Sequence, residues 1–141
     1  MSKFLYTIVA GILFLTSCQK EETDGNPDPS TPSVANLSGS YKISKAAAIT
    51  SGIETDVTAF AFLPCMRDDI YKLNANMTYE VVDAGVQCSP PGNFTGTWSL
   101  TNNTTIALDV LSGTIRKFDG KNLEVLATVN GVSAVIYYVK Q

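Results

Sequence analysis

From about residue 37 to the end, apolar and polar residues take turns in runs of six or seven, and turn formers separate the runs. Leu37, Gly39, Tyr41 and Ile43 alternate with Ser38, Ser40 and Lys42. Met77, Tyr79 and Val81 alternate with Thr78, Glu80 and Val82, and Ile106, Leu108 and Val110 alternate with Thr105, Ala107 and Asp109. Leu123, Val125, Ala127 and Val129 alternate with Glu124, Leu126 and Thr128. A period of two puts each set on one face of a strand, which no helix can do. Between the runs lie Asn74-Ala75-Asn76, Asn102-Asn103, Ser112-Gly113, Asp119-Gly120 and Asn130-Gly131. Asn130-Gly131 is the strongest hairpin signal, because both residues tolerate the positive φ of a type I′ turn.

The pattern predicts an all-β fold of about eight strands, near 37–44, 57–63, 68–74, 77–83, 95–101, 104–110, 113–119, 122–129 and 132–139, with 57–63 the weakest. Short loops between consecutive strands make an antiparallel meander. Closing it into a barrel removes the exposed edges, and a β-sandwich is the fallback. The last run is apolar on both faces: Val132, Ala134, Ile136 and Tyr138 on one, Val135, Tyr137 and Val139 on the other. One face must fill the interior and the other must meet a further layer. The stretch from Lys45 to Thr58 can supply it, with Ala46, Ala47, Ala48 and Ile49 as a short helical or irregular lid. A dimer or partner contact is the alternative.

The N-terminus sets an address. Lys3 is followed by an apolar stretch from Phe4 to Thr16, the length of a signal h-region and too short to span a bilayer. Leu15, Thr16, Ser17 and Cys18 resemble the lipobox of bacterial lipoproteins. The resemblance implies cleavage after residue 17 and acylation of Cys18, a membrane anchor that two or three chains make stable. Gln19, Lys20, Glu21 and Glu22 resemble the export signal of surface lipoproteins in Bacteroidota. By that resemblance Lys20, Glu21 and Glu22 carry the protein to the outer face of the outer membrane; a periplasm-facing anchor is the alternative. Residues 18–36 hold Pro27, Pro29, Pro32 and four acids, with almost no apolar content, and read as a disordered tether. Residues 37–141 are then one small domain. Its charges nearly balance, so nucleic acid is not an expected partner.

With Cys18 assigned to lipid, Cys65 and Cys88 remain. In a secreted chain such a pair normally bonds. If strands 68–74 and 77–83 pair about Ala75 and Asn76, Cys65 falls opposite residue 86, close to Cys88. The bond would close a loop of just over twenty residues, roughly 3 kcal/mol in the chain-entropy picture. A redox or metal thiol pair is the alternative, disfavoured by the lack of histidine and of any Cys-x-x-Cys.

Catalytic chemistry is hard to find. No histidine is present, which removes Ser-His-Asp and Cys-His mechanisms and the usual zinc sets. Asp68 and Asp69 are strand neighbours on opposite faces and read as a solvated strand start. Glu80 and Asp83 also diverge. Asp109 and Glu124 could face each other across strands as a glycosidase-like pair. No phosphate loop, EF-hand spacing or nucleophile elbow occurs. Neither a metal nor an organic cofactor is expected.

One pattern occurs twice: Gly39-Ser40-Tyr41-Lys42-Ile43-Ser44 and Gly96-Thr97-Trp98-Ser99-Leu100-Thr101. With Leu37, Cys65, Asp68, Asp69 and Cys88, these residues resemble the bacterial lipocalin-like lipoproteins, over most of 37–141. That resemblance implies a small lipocalin-like, calycin-type barrel that is not an enzyme and takes a small apolar or amphipathic ligand. Tyr41, Tyr79, Trp98, Ile106, Leu108, Val125, Ile136 and Tyr138 are the candidate cavity wall. A packed, ligandless barrel serving as an accessory subunit of a cell-surface complex is the alternative.

Overall fold

The computed structural model describes residues 28–109 and 111–141. Cys18, Lys20, Glu21, Glu22, the signal segment 1–17 and Val110 lie outside the described residues.

Among the described residues, nine strands form one antiparallel sheet: β1 (Gly39–Thr50), β2 (Ile53–Asp56), β3 (Ile70–Leu73), β4 (Thr78–Val82), β5 (Phe94–Thr101), β6 (Thr105–Leu108), β7 (Leu111–Phe118), β8 (Asn122–Val129) and β9 (Val132–Lys140). From β3 onward each strand pairs with the next in the chain, and β9 returns to pair with β1. Eight strands therefore close a barrel, with β2 outside the ring, and the sandwich fallback does not apply. Asn102-Asn103 and Asn130-Gly131 both take positive φ at both residues, as their turns require. Ser51-Gly52 does the same and makes the β1–β2 hairpin, which the alternation does not reveal.

Three expectations need correction. Residues 57–63 are not a strand. α2 (Thr58–Ala61) and a 3-10 turn over Pro64–Met66 occupy the region, the proline opening that turn where no N–H is needed. The β1–β3 pairing covers only Gly39–Tyr41. Thr58 Oγ1 accepts the Ala46 N–H at 2.9 Å, and Phe62 packs against the core.

Ala46, Ala47, Ala48 and Ile49 are not a lid either. They continue β1, where Ala46, Ala47 and Ala48 pair with Ile136, Val135 and Ala134. Pairing on both edges overrides alanine's preference for helix. The predicted cover over β9 does come from the 45–58 stretch, in another form. Three strands separate β2 from β7, yet Glu54 of β2 accepts hydrogen bonds from Tyr137 Oη (2.5 Å) and from Arg116 of β7. The hairpin thus curls across the outer face, where Ala47 and Val135 are completely buried.

The third correction concerns the boundary at 37. Residues 28–36 belong to the folded body. α1 (Val34–Leu37) is capped by Ser33 Oγ, which accepts the Asn36 N–H at 3.1 Å. Asn36 Nδ2 donates to the Asp28 and Thr31 carbonyls, each at 2.8 Å. Leu37 is wholly buried, so α1 plugs the barrel end where β1 begins. The opposite end, bounded by 51–69, 83–93 and the β6–β7 and β8–β9 turns, is the mouth.

Candidate functional site

The repeated glycine–hydroxyl–aromatic pattern builds the closed end. A Cβ on Gly39 would run into Lys140 Cε, and one on Gly96 would run into Asp109 Oδ2 and, at 2.7 Å, the Tyr79 ring. Each glycine lets another side chain cross the strand. Two residues on, Tyr41 Oη donates to the Leu37 carbonyl at 2.7 Å, and Trp98 Nε1 donates to the Asn74 carbonyl at 2.9 Å. Both aromatics are almost fully buried, and each has its polar tip satisfied by backbone.

Six of the eight predicted wall residues surround one cavity: Tyr41, Tyr79, Ile106, Leu108, Val125 and Tyr138. Trp98 and Ile136 are buried in the same core but do not line it. Tyr71, Leu73, Leu111 and Leu123 complete the wall, and Gly113 opens onto it. Tyr71 was foreseeable, since it faces Tyr41 across the β1–β3 register; Leu111 stands at a strand end where alternation gives no signal. Tyr138 packs edge-on against Tyr41 and Tyr71, with ring centroids 6.5 and 5.9 Å apart. Burial pushes the Tyr41 phenol up to about 12; burial and then the Asp69 charge do the same for Tyr71; Tyr138 is raised further. These phenols are neutral, and the cavity is apolar. Its free volume, as room for water-sized spheres, is about 30 Å³, enough for a water or two and far below the hundreds of Å³ of a small-molecule site.

The mouth is cross-linked. Cys65 and Cys88 are bonded, with Cα atoms 5.2 Å apart. β3 and β4 pair with Leu73 opposite Tyr79, so the loop centres on Asn76, half a residue beyond the expected centre. Met77 takes φ 66 inside it and does not begin the strand. Asp68 and Asp69 are not a solvated strand start. Asp68 Oδ2 accepts the Val86 N–H (2.8 Å), Asp69 Oδ1 accepts Ala84 (3.3 Å), and Asp83 accepts Cys88 (3.1 Å) and Gly92 (2.8 Å). Asp68 is partly buried, with the 84–92 loop coming back over it through the Val86 N–H. Asp69 is 2 % exposed, and burial raises its pKa, with Asp83 and Asp68 adding to the effect against the Ala84 hydrogen bond.

The glycosidase-like pair is not assembled. Asp109 accepts the Thr97 N–H and hydroxyl at 2.9 and 2.7 Å, which hold its carboxyl below the usual range. Glu124 faces Lys117 and binds Arg116 Nη2 at 2.8 Å. Among the described residues no three ligating side chains gather to hold a metal.

A closed eight-strand antiparallel barrel with a helical plug and a Gly-Thr-Trp strand defines a lipocalin-like protein. Residues 19–125 match the family model of the lipocalin-like domain, so the chain belongs to that family. The match begins ahead of the plug and ends within β8, leaving β9, which closes the ring, outside it. Comparison with curated proteins and with solved structures gives no match.

Proposed function

We propose that this lipocalin-like protein is a non-catalytic lipoprotein, held through acylated Cys18 on the outer membrane and displayed outward by Lys20, Glu21 and Glu22. Its barrel is filled, and it works through its outside as an accessory subunit of a surface assembly. The family is in general non-catalytic. The observation that carries the reading is the interior: about 30 Å³ of free space cannot enclose a lipid-sized ligand. The chain enters the folded body at the closed end, where Pro29 lies against Gly120, so a tether from Cys18 leaves the mouth facing away from the membrane.

Trp98 is the single tryptophan and sits in the core, which gives a direct test. Energy transfer from Trp98 to cis-parinaric acid should show no saturable component, and native mass spectrometry of the purified protein should show no retained small molecule. Saturable one-to-one transfer would return the barrel to the ligand carriers. Cys18→Ala should abolish acyl labelling and membrane association. Alanine at Lys20, Glu21 and Glu22 together should protect the protein from protease added to intact cells; unchanged cleavage would remove the export assignment.

A further inference from the structure

One side chain ties the tip of the β1–β2 hairpin to the barrel. All four residues of β2 are exposed, Ile53 at 69 %, and β2 pairs with β1 alone. Among the described residues, Glu54 is the only one of 49–56 whose side chain bonds to a strand other than β1. β1 last faces β9 at Ala48, opposite Ala134, while Ile49 and Thr50 face β2 only. The other leg is fixed at Val57, whose N–H donates to the Ala46 carbonyl at 2.9 Å. Residues 49–56 thus form a lever hinged at these two points. A Cβ on Gly52, at the tip, would meet no described atom within 4 Å.

The barrel side of this contact is built in advance. Arg116 is the extra residue of a bulge in β7, where the register passes from Ile115 opposite Val125 to Lys117 opposite Glu124. The bulge takes Arg116 out of the alternation and re-aims its side chain. Glu124 Oε2 accepts from Arg116 Nε at 3.0 Å and from Nη2 at 2.8 Å, which fixes the guanidinium plane. Nη2 also donates to Tyr137 Oη at 2.9 Å, and Lys45 Nζ stands 5.1 Å from the centre of the Tyr137 ring. Arg116 Nη1 and the Tyr137 hydroxyl proton remain, and the Glu54 carboxylate accepts both. The face around this contact is apolar: Ala47 and Val135 are fully buried, and Leu126, opposite Val135, is half-buried.

We infer that the β1–β2 hairpin is a strap latched by the Glu54 carboxylate, and that it swings off the outer face of the barrel when that charge is neutralised. The groups facing Glu54 are Arg116 of β7, Tyr137 of β9 and Lys45 of β1, with Glu124 of β8 behind Arg116. Asp56, the other charge on β2, is held by the N–H and hydroxyl of Thr58. The Tyr137 hydroxyl, then Arg116, with Lys45 adding to them, hold the Glu54 carboxyl below the usual carboxylate range. The latch is therefore closed at neutral pH and lost as pH falls through the folded value. Glu124 keeps Arg116 in place when the strap is open, so the latch closes again once the charge returns. Opening turns a charged outer face into an apolar one around Val135 and Leu126. None of this depends on what the barrel interior holds.

The test uses the whole protein carrying spin labels at Ile53→Cys and Ser99→Cys, both exposed, the second on β5, two strands beyond β7. The bonded Cys65 and Cys88 take no label, and the parent without the two new cysteines gives the blank. Double electron–electron resonance should give one narrow distance at pH 7 and a longer, broader one at pH 3, reversing on return to pH 7. Glu54→Gln and Arg116→Ala should each raise the open population at pH 7 roughly tenfold or more, as for loss of a charge-assisted hydrogen bond. The two side chains are 31 and 36 % exposed, so near-ultraviolet circular dichroism of the buried aromatics should be unchanged in both variants. Variants that keep the narrow distance overturn the inference, because backbone pairing alone would then hold the hairpin. So does a parent that stays closed at pH 3. A variant that loses the near-ultraviolet signal overturns it as well, since Glu54 and Arg116 would then belong to the barrel's own stability and not to a separable latch.

Discussion

Removing the cross-link by Cys65→Ser/Cys88→Ser separates what the bond does to the unfolded chain from what it does to the mouth. The bonded residues are 23 apart. Closing a loop of that size removes unfolded-state entropy worth about 3 kcal/mol at 25 °C. In the folded state the 84–92 loop has other holds: Asp68, Asp69 and Asp83 accept the N–H groups of Val86, Ala84, Cys88 and Gly92. The native loop should therefore stay seated without the bond. Urea unfolding of the double variant should give a free energy lower by about 3 kcal/mol, with the melting temperature down on the order of 10–15 °C. Hydrogen exchange at Val86, Gly92 and the backbone amide of position 88, measured relative to global unfolding, should keep local protection. A loss below about 1 kcal/mol, or exchange at these amides as in free peptide, would refute the argument. The first would mean that the unfolded chain was already restricted. The second would mean that the carboxylates do not hold the loop.

Two further predictions follow from the same geometry. Asp69 has its folded pKa raised above the ordinary 3.8, so the native state favours the proton there, and stability is lost as pH rises through the folded value. Asp69→Asn should therefore stabilise the protein at pH 7 and lose that advantage at pH 3.5, by urea titration at both; a gain independent of pH would rule out charge burial as its cause. Tyr41→Phe leaves the buried Leu37 carbonyl without the hydroxyl that now donates to it, at a cost of about 1–3 kcal/mol, read by thermal unfolding. An unchanged melting temperature would mean that the closed-end plug does not depend on this bond.

Much of the barrel can be read from the alternation, because each inward residue is also a cross-strand partner of another. Tyr41 faces Tyr71, Tyr79 faces Leu73, and Trp98 faces Leu108. Where local preference and pairing conflict, the reading fails. Ala46 to Ala48 have helical propensity and form a strand because β9 supplies a partner for each. Residues 57–63 have the apolar content of a strand, yet Phe60 points into solvent and only Phe62 packs inward. The tether was set too long because Asn36 and Ser33 look like linker residues until their hydrogen bonds to Asp28, Thr31 and the helix N-terminus are seen.

The mouth was the least legible part, and the reason is physical. Asp68 and Asp69 lie just before β3 and Asp83 just after β4, where strand alternation has stopped and cannot foresee the loop that covers them. The 84–92 loop comes back over β3 and β4, and its amides exchange water for carboxylate oxygens. Gly85 carries φ 62 and a Cβ there would collide with Asp68, so the glycine is what lets the carboxylate sit on the loop backbone. Three acids, a glycine and a cysteine thus act together through tertiary contacts, although none of them carries a local signal. The same fold-back leaves Val86 on the outside, 67 % exposed.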